Sequence, residues 1–177
     1  MNESSPPPTH DEHPLVTDGM RRSRGVWDDW SRWSAPIRDS DIRRWALAVY
    51  WPEAPPRKYW DEASAASTSA RGIVAPEEFN PFAWPAPGSS TRSETRRSAS
   101  DRRPDPQQVR GRVNGGCQVT YGAVMRPGDC IRRRVRLHGW RTAEAPRGPL
   151  LLVDYEHEWR NERDQLVRLT IYTLIHW

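Results

Sequence analysis

The last third of the chain, residues 114–177, alternates apolar and polar side chains with a period of two. Such alternation is typical of β-strands with one buried face, because successive side chains point to opposite faces of a sheet. The positions expected on the buried face are Cys117, Val119, Tyr121, Ile131, Val135, Leu137, Leu151, Val153, Tyr155, Trp159, Val167, Leu169, Ile171 and Ile175. We therefore expect an antiparallel sheet whose wet face pairs the arginines of residues 132–136 with Asp154, Glu156 and Glu158.

The segment before the sheet carries helical signals instead. Ile42, Trp45, Ala46 and Val49 have the spacing of one buried helix face, and Ser40 is the expected N-cap. The prolines that begin at position 52 should end this helix, and a short second helix is expected over residues 61–66.

A third helix is expected to begin at Pro76, which suits the first helical position. It would carry Phe79 and Phe82 inward and stop at the prolines of positions 85 and 87. Helices followed by long antiparallel strands are the order of a hot-dog fold, in which a curved sheet wraps a short central helix. The predicted fold class is therefore α+β, of the hot-dog type.

Two stretches lack apolar periodicity. Residues 1–25 are rich in Pro, Ser and charged residues, and we expect a disordered tail there. Residues 88–112 are rich in Arg, Ser and Pro, which favours a mobile insertion. The remainder, residues 26–177, is predicted to form a single domain.

Charge and composition weigh against several classes of function. The net charge is +4, but the basic stretches do not interleave with aromatic residues, which argues against nucleic-acid binding. A mean hydropathy of −0.90 and the absence of a long apolar run argue against a membrane protein, and no secretory leader is evident. We expect a cytoplasmic protein in which Cys117 and Cys130 are reduced, buried thiols, with no metal site.

Several segments, in order, resemble the N-terminal domain of MaoC-like dehydratases. They are DIRRWALAV (41–49), GIVAPEEF (72–79), the strand at Tyr121 with the turn RPGD (126–129), GPLLL (148–152) and NERDQLV (161–167). The resemblance spans residues 27–177. It implies a substrate held as a thioester on coenzyme A or acyl carrier protein, and reversible addition of water to a 2-enoyl group. It implies a hydro-lyase of fatty acid or steroid metabolism.

Catalytic members of that family carry Asp and His in a Gly-Asp-x-Asn-Pro-x-His segment after the first helix. The corresponding stretch here is YWPEAPPRKYWD (50–61), in which Trp51 stands at the Asp position and Tyr59 near the His position. Hydration needs an acid/base pair beside the thioester. The resemblance therefore implies a non-catalytic half, with Ile73, Pro76, Phe79 and Phe82 expected to contact the acyl group.

Three functions follow from these observations. The preferred one is a dehydratase-type subunit that binds an acyl thioester and pairs with a catalytic MaoC-type subunit, or with a second copy of itself. The first alternative is a self-sufficient hydratase or thioesterase that uses His157, on the inward register of its strand, or Glu53. The second alternative is a module that binds anions or nucleic acid.

Overall fold

The computed structural model describes residues 13–83, 101–146 and 148–177. Within these ranges the helices are α1 (Asp18–Ser23), α2 (Asp39–Tyr50) and α3 (Glu62–Ala66), and Arg57–Tyr59 forms a 3-10 turn. The strands are β1 (Arg112–Tyr121), β2 (Ile131–Ala143), β3 (Leu150–Asn161) and β4 (Leu166–His176). They form one antiparallel sheet in the order β1-β4-β3-β2, so the predicted α+β class is confirmed.

Helix α2 forms where the sequence predicts it, but its boundary and its buried face differ. Arg38 rather than Ser40 is the N-cap residue, and its backbone N–H donates to the Asp41 carboxylate at 3.2 Å. Ile42 and Ala46 are fully buried, whereas Val49 is 52% exposed. The core-facing side of α2 therefore includes Ile42 and Ala46, with Trp45 and Tyr50 partly buried beside them, but not Val49.

The helix expected at Pro76 does not form over residues 76–83, which adopt successive turns. Phe79 N–H donates to the Pro76 carbonyl, and the Asn80 side chain accepts the N–H of Phe82 at 3.0 Å. That local side-chain bond competes with a helical ladder, and Pro81 has no N–H to contribute to one. The continuation at residues 84–100, with most of the expected insertion, lies outside the described residues.

Residues 13–25, which we expected to be disordered, are folded. The Thr17 hydroxyl caps α1 by accepting the Met20 N–H at 3.1 Å. Leu15, Val16 and Met20 are buried against one end of the sheet. Three apolar side chains in a polar stretch suffice because the sheet offers them an apolar surface; residues 1–12 lie outside the described residues.

The two faces of the sheet are named by what they carry. The inner face bears Val135, Tyr155 and His157, and the outer face bears Glu156 and Glu158. Two apolar clusters pack at opposite ends of the inner face. One contains Ile37, Ile42, Ala46, Tyr59, Ala75, Phe79, Met125, Ile131, Trp159 and Val167. The other contains Leu15, Val16, Met20, Leu137, Trp140, Leu151 and Val153.

Strand β4 reverses the face that its alternation predicts. Its pairing with β3 shifts between Trp159 and Arg160, and this bulge places Val167 in the core. Beyond the bulge, Leu169 and Ile171 lie opposite Glu158 and Glu156 on the outer face. Ile175 also lies on the outer face of β4. The prediction that Leu169, Ile171 and Ile175 face inward was wrong, because a one-residue shift exchanges the two faces.

Strand β1 is exposed along all of its ten residues. Cys117, Val119 and Tyr121 were expected on a buried face, but β1 lies at the edge of the sheet beyond both apolar clusters. The expectation of two buried thiols was also wrong, because Cys117 is exposed and Cys130 is partly exposed; both are free thiols. Among residues 13–83, 101–146 and 148–177, no apolar cluster packs on the side chains of Cys117, Val119 and Tyr121.

The opposite edge, β2, is covered by the chain itself. The backbone N–H groups of Gly25, Asp28, Ser31 and Ser34 donate to β2 carbonyls at 2.7–2.9 Å. On the outer face, the guanidinium groups of Arg132, Arg134 and Arg136 stack on Trp27, Trp30 and Trp33. The same segment therefore closes an edge and covers part of the outer face.

The predicted charge pairs across strands are confirmed at two positions. Arg134 contacts Glu158 at 2.6 Å and Arg136 contacts Glu156 at 2.6 Å, and both carboxylates are buried. Arg132 pairs instead with Asp164 at 2.9 Å. These three arginines already bind carboxylates of the same chain. They therefore give no support to the alternative of a module that binds anions or nucleic acid.

Candidate ligand-binding cavity

A cavity of about 820 Å³ lies on the inner face, between the two apolar clusters. Its floor comes from Tyr155 and His157 of β3 and from Tyr172, Leu174 and His176 of β4. On the other side it is lined by residues between 102 and 112. Cavities with mainly apolar and aromatic walls and a few polar groups are the usual form of small-molecule sites.

The segment over the cavity is held in place by a buried arginine. Arg102 is 4% exposed, forms an ion pair with Asp28 and donates to the Val135 carbonyl at 3.1 Å. The Tyr155 hydroxyl donates to the Arg102 carbonyl at 2.9 Å. Burial raises the pKa of Tyr155 to about 12, so it keeps that proton at neutral pH. The last part of the expected mobile insertion is thus anchored on the sheet.

His157 lies on the cavity floor, as its predicted inward register requires. Its ring meets Tyr172 edge to face, with the ring centroids 5.0 Å apart. Burial, followed by the charges of Arg133, Arg168 and Arg102, lowers the pKa of His157 to about 4. The imidazole is therefore neutral at neutral pH, and the charged groups that shift its pKa are all arginines.

His176 marks the other end of the cavity. It is 4% exposed, and within the described part of the chain neither of its ring nitrogens has a hydrogen-bond partner. Burial, and then the charge of Arg112, lowers its pKa to about 4. Cross-strand pairing places His157 opposite Thr170 and His176 opposite Leu151. Six residues of strand therefore separate the two histidines, or roughly 20 Å.

His176 and the arginine-rich wall are the features that sequence reasoning missed. The apolar residues Leu169, Ile171 and Ile175 suggested that β4 turned its odd-numbered side chains inward, which would have pointed His176 away. The signal that could have identified it is the aromatic and apolar alternation of Tyr172 and Leu174 with His176.

The positions that correspond to the catalytic pair do not contribute to the cavity. Trp51 is 80% exposed, and Tyr59 is buried with its ring 6.1 Å from that of Tyr50. Glu53 is exposed in the loop after α2, where its N–H donates to the Tyr50 carbonyl at 2.8 Å. None of these three residues lines the cavity, so Glu53 and His157 are not brought together there.

Of the four residues expected to contact substrate, Ile73, Phe79 and Phe82 lie in or against the first apolar cluster. Phe79 is 1% exposed and meets Trp45 edge to face at 5.5 Å, and Phe82 meets Trp159 at 5.2 Å. Ile73 packs against the same cluster and Pro76 is buried. None of the four is among the residues that line the cavity, and their contact with an acyl group stays a prediction.

One histidine does contact a carboxylate, but it lies on the outer face. His138 Nδ1 is 2.8 Å from Glu156, which also binds Arg136. The sheet separates this pair from the cavity. In residues 13–83, 101–146 and 148–177, no group of three or more His, Cys, Asp and Glu side chains is arranged to hold a metal ion. Over the same ranges, every helix is too short or too polar to cross a bilayer.

The family follows from the sequence match that covers most of this fold. A family model described as the FAS1-like dehydratase domain region matches residues 25–170. The chain belongs to this family. No curated protein matches this chain in sequence.

Solved structures of related fold agree with the family. One chain in the crystal structure of the ChsH1-ChsH2 complex from Mycobacterium tuberculosis is 17% identical in sequence to this chain, with a TM-score of 0.69. The match covers 90% of this chain and 94% of the chain in the complex. A MaoC-like dehydratase is 17% identical with a TM-score of 0.60, covering 89% and 43%. The C-terminally truncated HadBC (3R-hydroxyacyl-ACP dehydratase) complex from Mycobacterium tuberculosis is 18% identical with a TM-score of 0.54, covering 86% and 96%.

At these identities the structural similarity shows the fold alone. It confirms the predicted hot-dog fold for this FAS1-like dehydratase-region domain, and with the family match it confirms the resemblance to MaoC-like dehydratases.

Proposed function

We propose that this chain is a non-catalytic subunit of a hydratase/dehydratase of the MaoC-like type. It binds an acyl thioester, on coenzyme A or acyl carrier protein, and a partner subunit supplies the Asp/His pair. The observation that carries the proposal is the inner-face cavity, which is lined by aromatic and apolar side chains together with arginines and has no histidine–carboxylate pair among its described lining residues.

The chemistry explains why the cavity favours binding over catalysis. A general base in hydration must accept a proton from water, and it works best with a pKa near the operating pH. Arg133, Arg168 and Arg102 all disfavour an imidazolium at His157. A neutral histidine beside three arginines is poorly suited to that task, which counts against the self-sufficient alternative.

The exposed strand β1 supports a partner subunit. An unpaired strand edge is a template for pairing with another chain, and stable monomers normally cover or charge such edges. Val113, Val119 and Tyr121 are each at least 38% exposed on β1. We propose that a second hot-dog subunit extends the sheet along this edge. The names of the ChsH1-ChsH2 and HadBC complexes, each with two different subunits, support an unlike partner over a second copy.

Binding of a saturated acyl thioester tests the cavity directly. Leu174 lines the cavity, whereas Leu169 of the same strand lies on the outer face. We expect Leu174→Trp to weaken decanoyl-CoA binding at least about tenfold by filling the cavity, and Leu169→Trp to leave it unchanged. Calorimetric titration measures both. Equal affinity of the two variants and the unmodified chain would exclude this cavity as the acyl site.

A further inference from the structure

The His176 end of the cavity combines two features that the packing of the chain does not explain. His176 is a buried polar side chain without a hydrogen-bond partner in the described part of the chain. Buried polar groups in folded proteins are nearly always satisfied by protein, water or ligand, and an unsatisfied one costs free energy. A side chain of this kind in a cavity wall indicates that a bound molecule supplies the missing contact.

The charged side chains that line this end of the cavity are mostly positive. Arg103, Arg110 and Arg112 line the cavity, and the carboxylate among its described lining residues, Asp28, is already paired with Arg102. Arg112 lies directly across from His176 in the β1–β4 pairing. Arg110 and Arg112 are both exposed, so their guanidinium groups stand where the cavity meets solvent. This contrasts with the outer face, where Arg134, Arg136 and Arg160 each contact a carboxylate.

The backbone fixes this arrangement. The N–H groups of Arg110 and Gly111 donate to the Trp177 carbonyl at 2.7 and 3.2 Å, next to His176 in the chain. The segment that carries the arginines is therefore tied to the end of β4. A neutral imidazole offers one N–H donor, and the adjacent guanidinium groups offer further donors and positive charge.

We propose that this end of the cavity recognises an anionic oxygen group at one end of the bound molecule, with His176 as a hydrogen-bond donor and Arg110 and Arg112 as the counter-charge. The inference rests on the proposed acyl-thioester function and specifies which part of that ligand is held here. Phosphate oxygens of the carrier and a carboxylate on the acyl group share this chemistry. The apolar middle of the cavity, with Tyr155, Tyr172 and Leu174, would hold the chain that links the anion to the rest of the molecule.

Binding measurements on the full chain separate the two sources of the anion. The probes are decanoyl-CoA, S-decanoyl-pantetheine, which lacks the phosphates, and the decanedioyl thioester of pantetheine, which carries a carboxylate at the far end. If a phosphate occupies the site, decanoyl-CoA should bind about tenfold more tightly than decanoyl-pantetheine. If a carboxylate occupies it, the decanedioyl probe should have that advantage instead.

Two substitutions identify the residues. Arg112→Gln should remove most of the advantage of the anionic probe without affecting decanoyl-pantetheine, and Arg44→Gln on exposed α2 serves as the charge-matched control. His176→Phe should weaken the anionic probe while leaving the melting temperature unchanged or higher, because it replaces an unsatisfied buried polar group by an apolar one. A merely structural histidine would lower the melting temperature and leave binding intact.

The outcomes distinguish the two proposals. Equal affinity for all three probes, unaffected by Arg112→Gln, overturns the anion site and leaves the acyl cavity standing. Failure of every probe to bind the unmodified chain overturns the acyl-thioester function and the anion site together.

Discussion

The two edges of this sheet are treated in opposite ways. At β2, the backbone of residues 25–34 donates hydrogen bonds to the strand, and tryptophans stack on its arginines. At β1, ten exposed residues have β4 as their strand neighbour on one side, and the described part of the chain places no strand on the other. The chain uses its own N-terminal segment to close one edge and leaves the other available, which is the arrangement expected of half of a larger sheet.

The covered edge should be the more costly one to damage. Trp30 stacks on Arg132 and Arg134, with the guanidinium carbons 4.4 and 4.3 Å from its ring centre. We expect Trp30→Ala to lower the free energy of unfolding by about 2–3 kcal/mol, through lost burial and lost cation–π contacts. Trp51→Ala, at a position 80% exposed, should change it by less than about 0.5 kcal/mol. Urea denaturation measures both, and similar values would show that the stacked segment adds no stability.

The exposed β1 edge should instead matter for assembly. Val119 on β1 and Val26 on the segment next to β2 are both exposed valines. We expect Val119→Lys to weaken association with the partner subunit, or self-association, about tenfold or more, because lysine disfavours pairing at a strand edge. Val26→Lys should have no such effect. Sedimentation velocity across a concentration series measures the dissociation constants.

The same experiment has a clear contradictory outcome. If Val26→Lys disrupts assembly and Val119→Lys does not, the subunits meet at the β2 edge and not at the β1 edge. Equal stability of the two variants in urea, as isolated chains, would show that the difference concerns assembly alone.

Low pH should lower the free energy of unfolding through two histidines on the inner face of the sheet. Burial lowers the pKa of His157 and of His176 to about 4, below the ordinary value of 6.5. Between these values the unfolded chain binds more protons than the folded chain, so the free energy of unfolding should fall as the pH drops from 6.5 towards 4. This part of the stability is fully present above pH 6.5.

A double variant sharpens the pH measurement. His157→Phe with His176→Phe should flatten the decline in melting temperature across that pH range, which we expect to amount to a few degrees. A His138→Phe variant on the outer face provides the control. An undiminished decline in the double variant would show that other groups control the acid response.

Sequence patterns predict the strands of this fold well but not how they meet. Alternation is a property within one strand, and it correctly placed Leu137, Val153 and His157 on the inner face. The bulge between Trp159 and Arg160 depends on the pairing of two strands and reverses everything after it on β4. For this reason His157 was identified from the sequence as an inward residue and His176 was not.

Local competition and tertiary contacts explain the other differences. The predicted helix at Pro76 does not form, because the Asn80 side chain stabilises a turn there instead. The polar stretch before residue 25 folds because Leu15, Val16 and Met20 find an apolar surface at the end of the sheet. Composition averaged over a window does not reveal such contacts.

The rate at which the purified chain alone hydrates a 2-enoyl thioester shows whether this chain is catalytic without a partner. We expect that the chain binds decanoyl-CoA but converts crotonyl-CoA and longer enoyl-CoAs no faster than buffer does, because its described cavity residues include no acid/base pair. Turnover by the isolated chain that disappears in His157→Ala would contradict this expectation and show a self-sufficient enzyme.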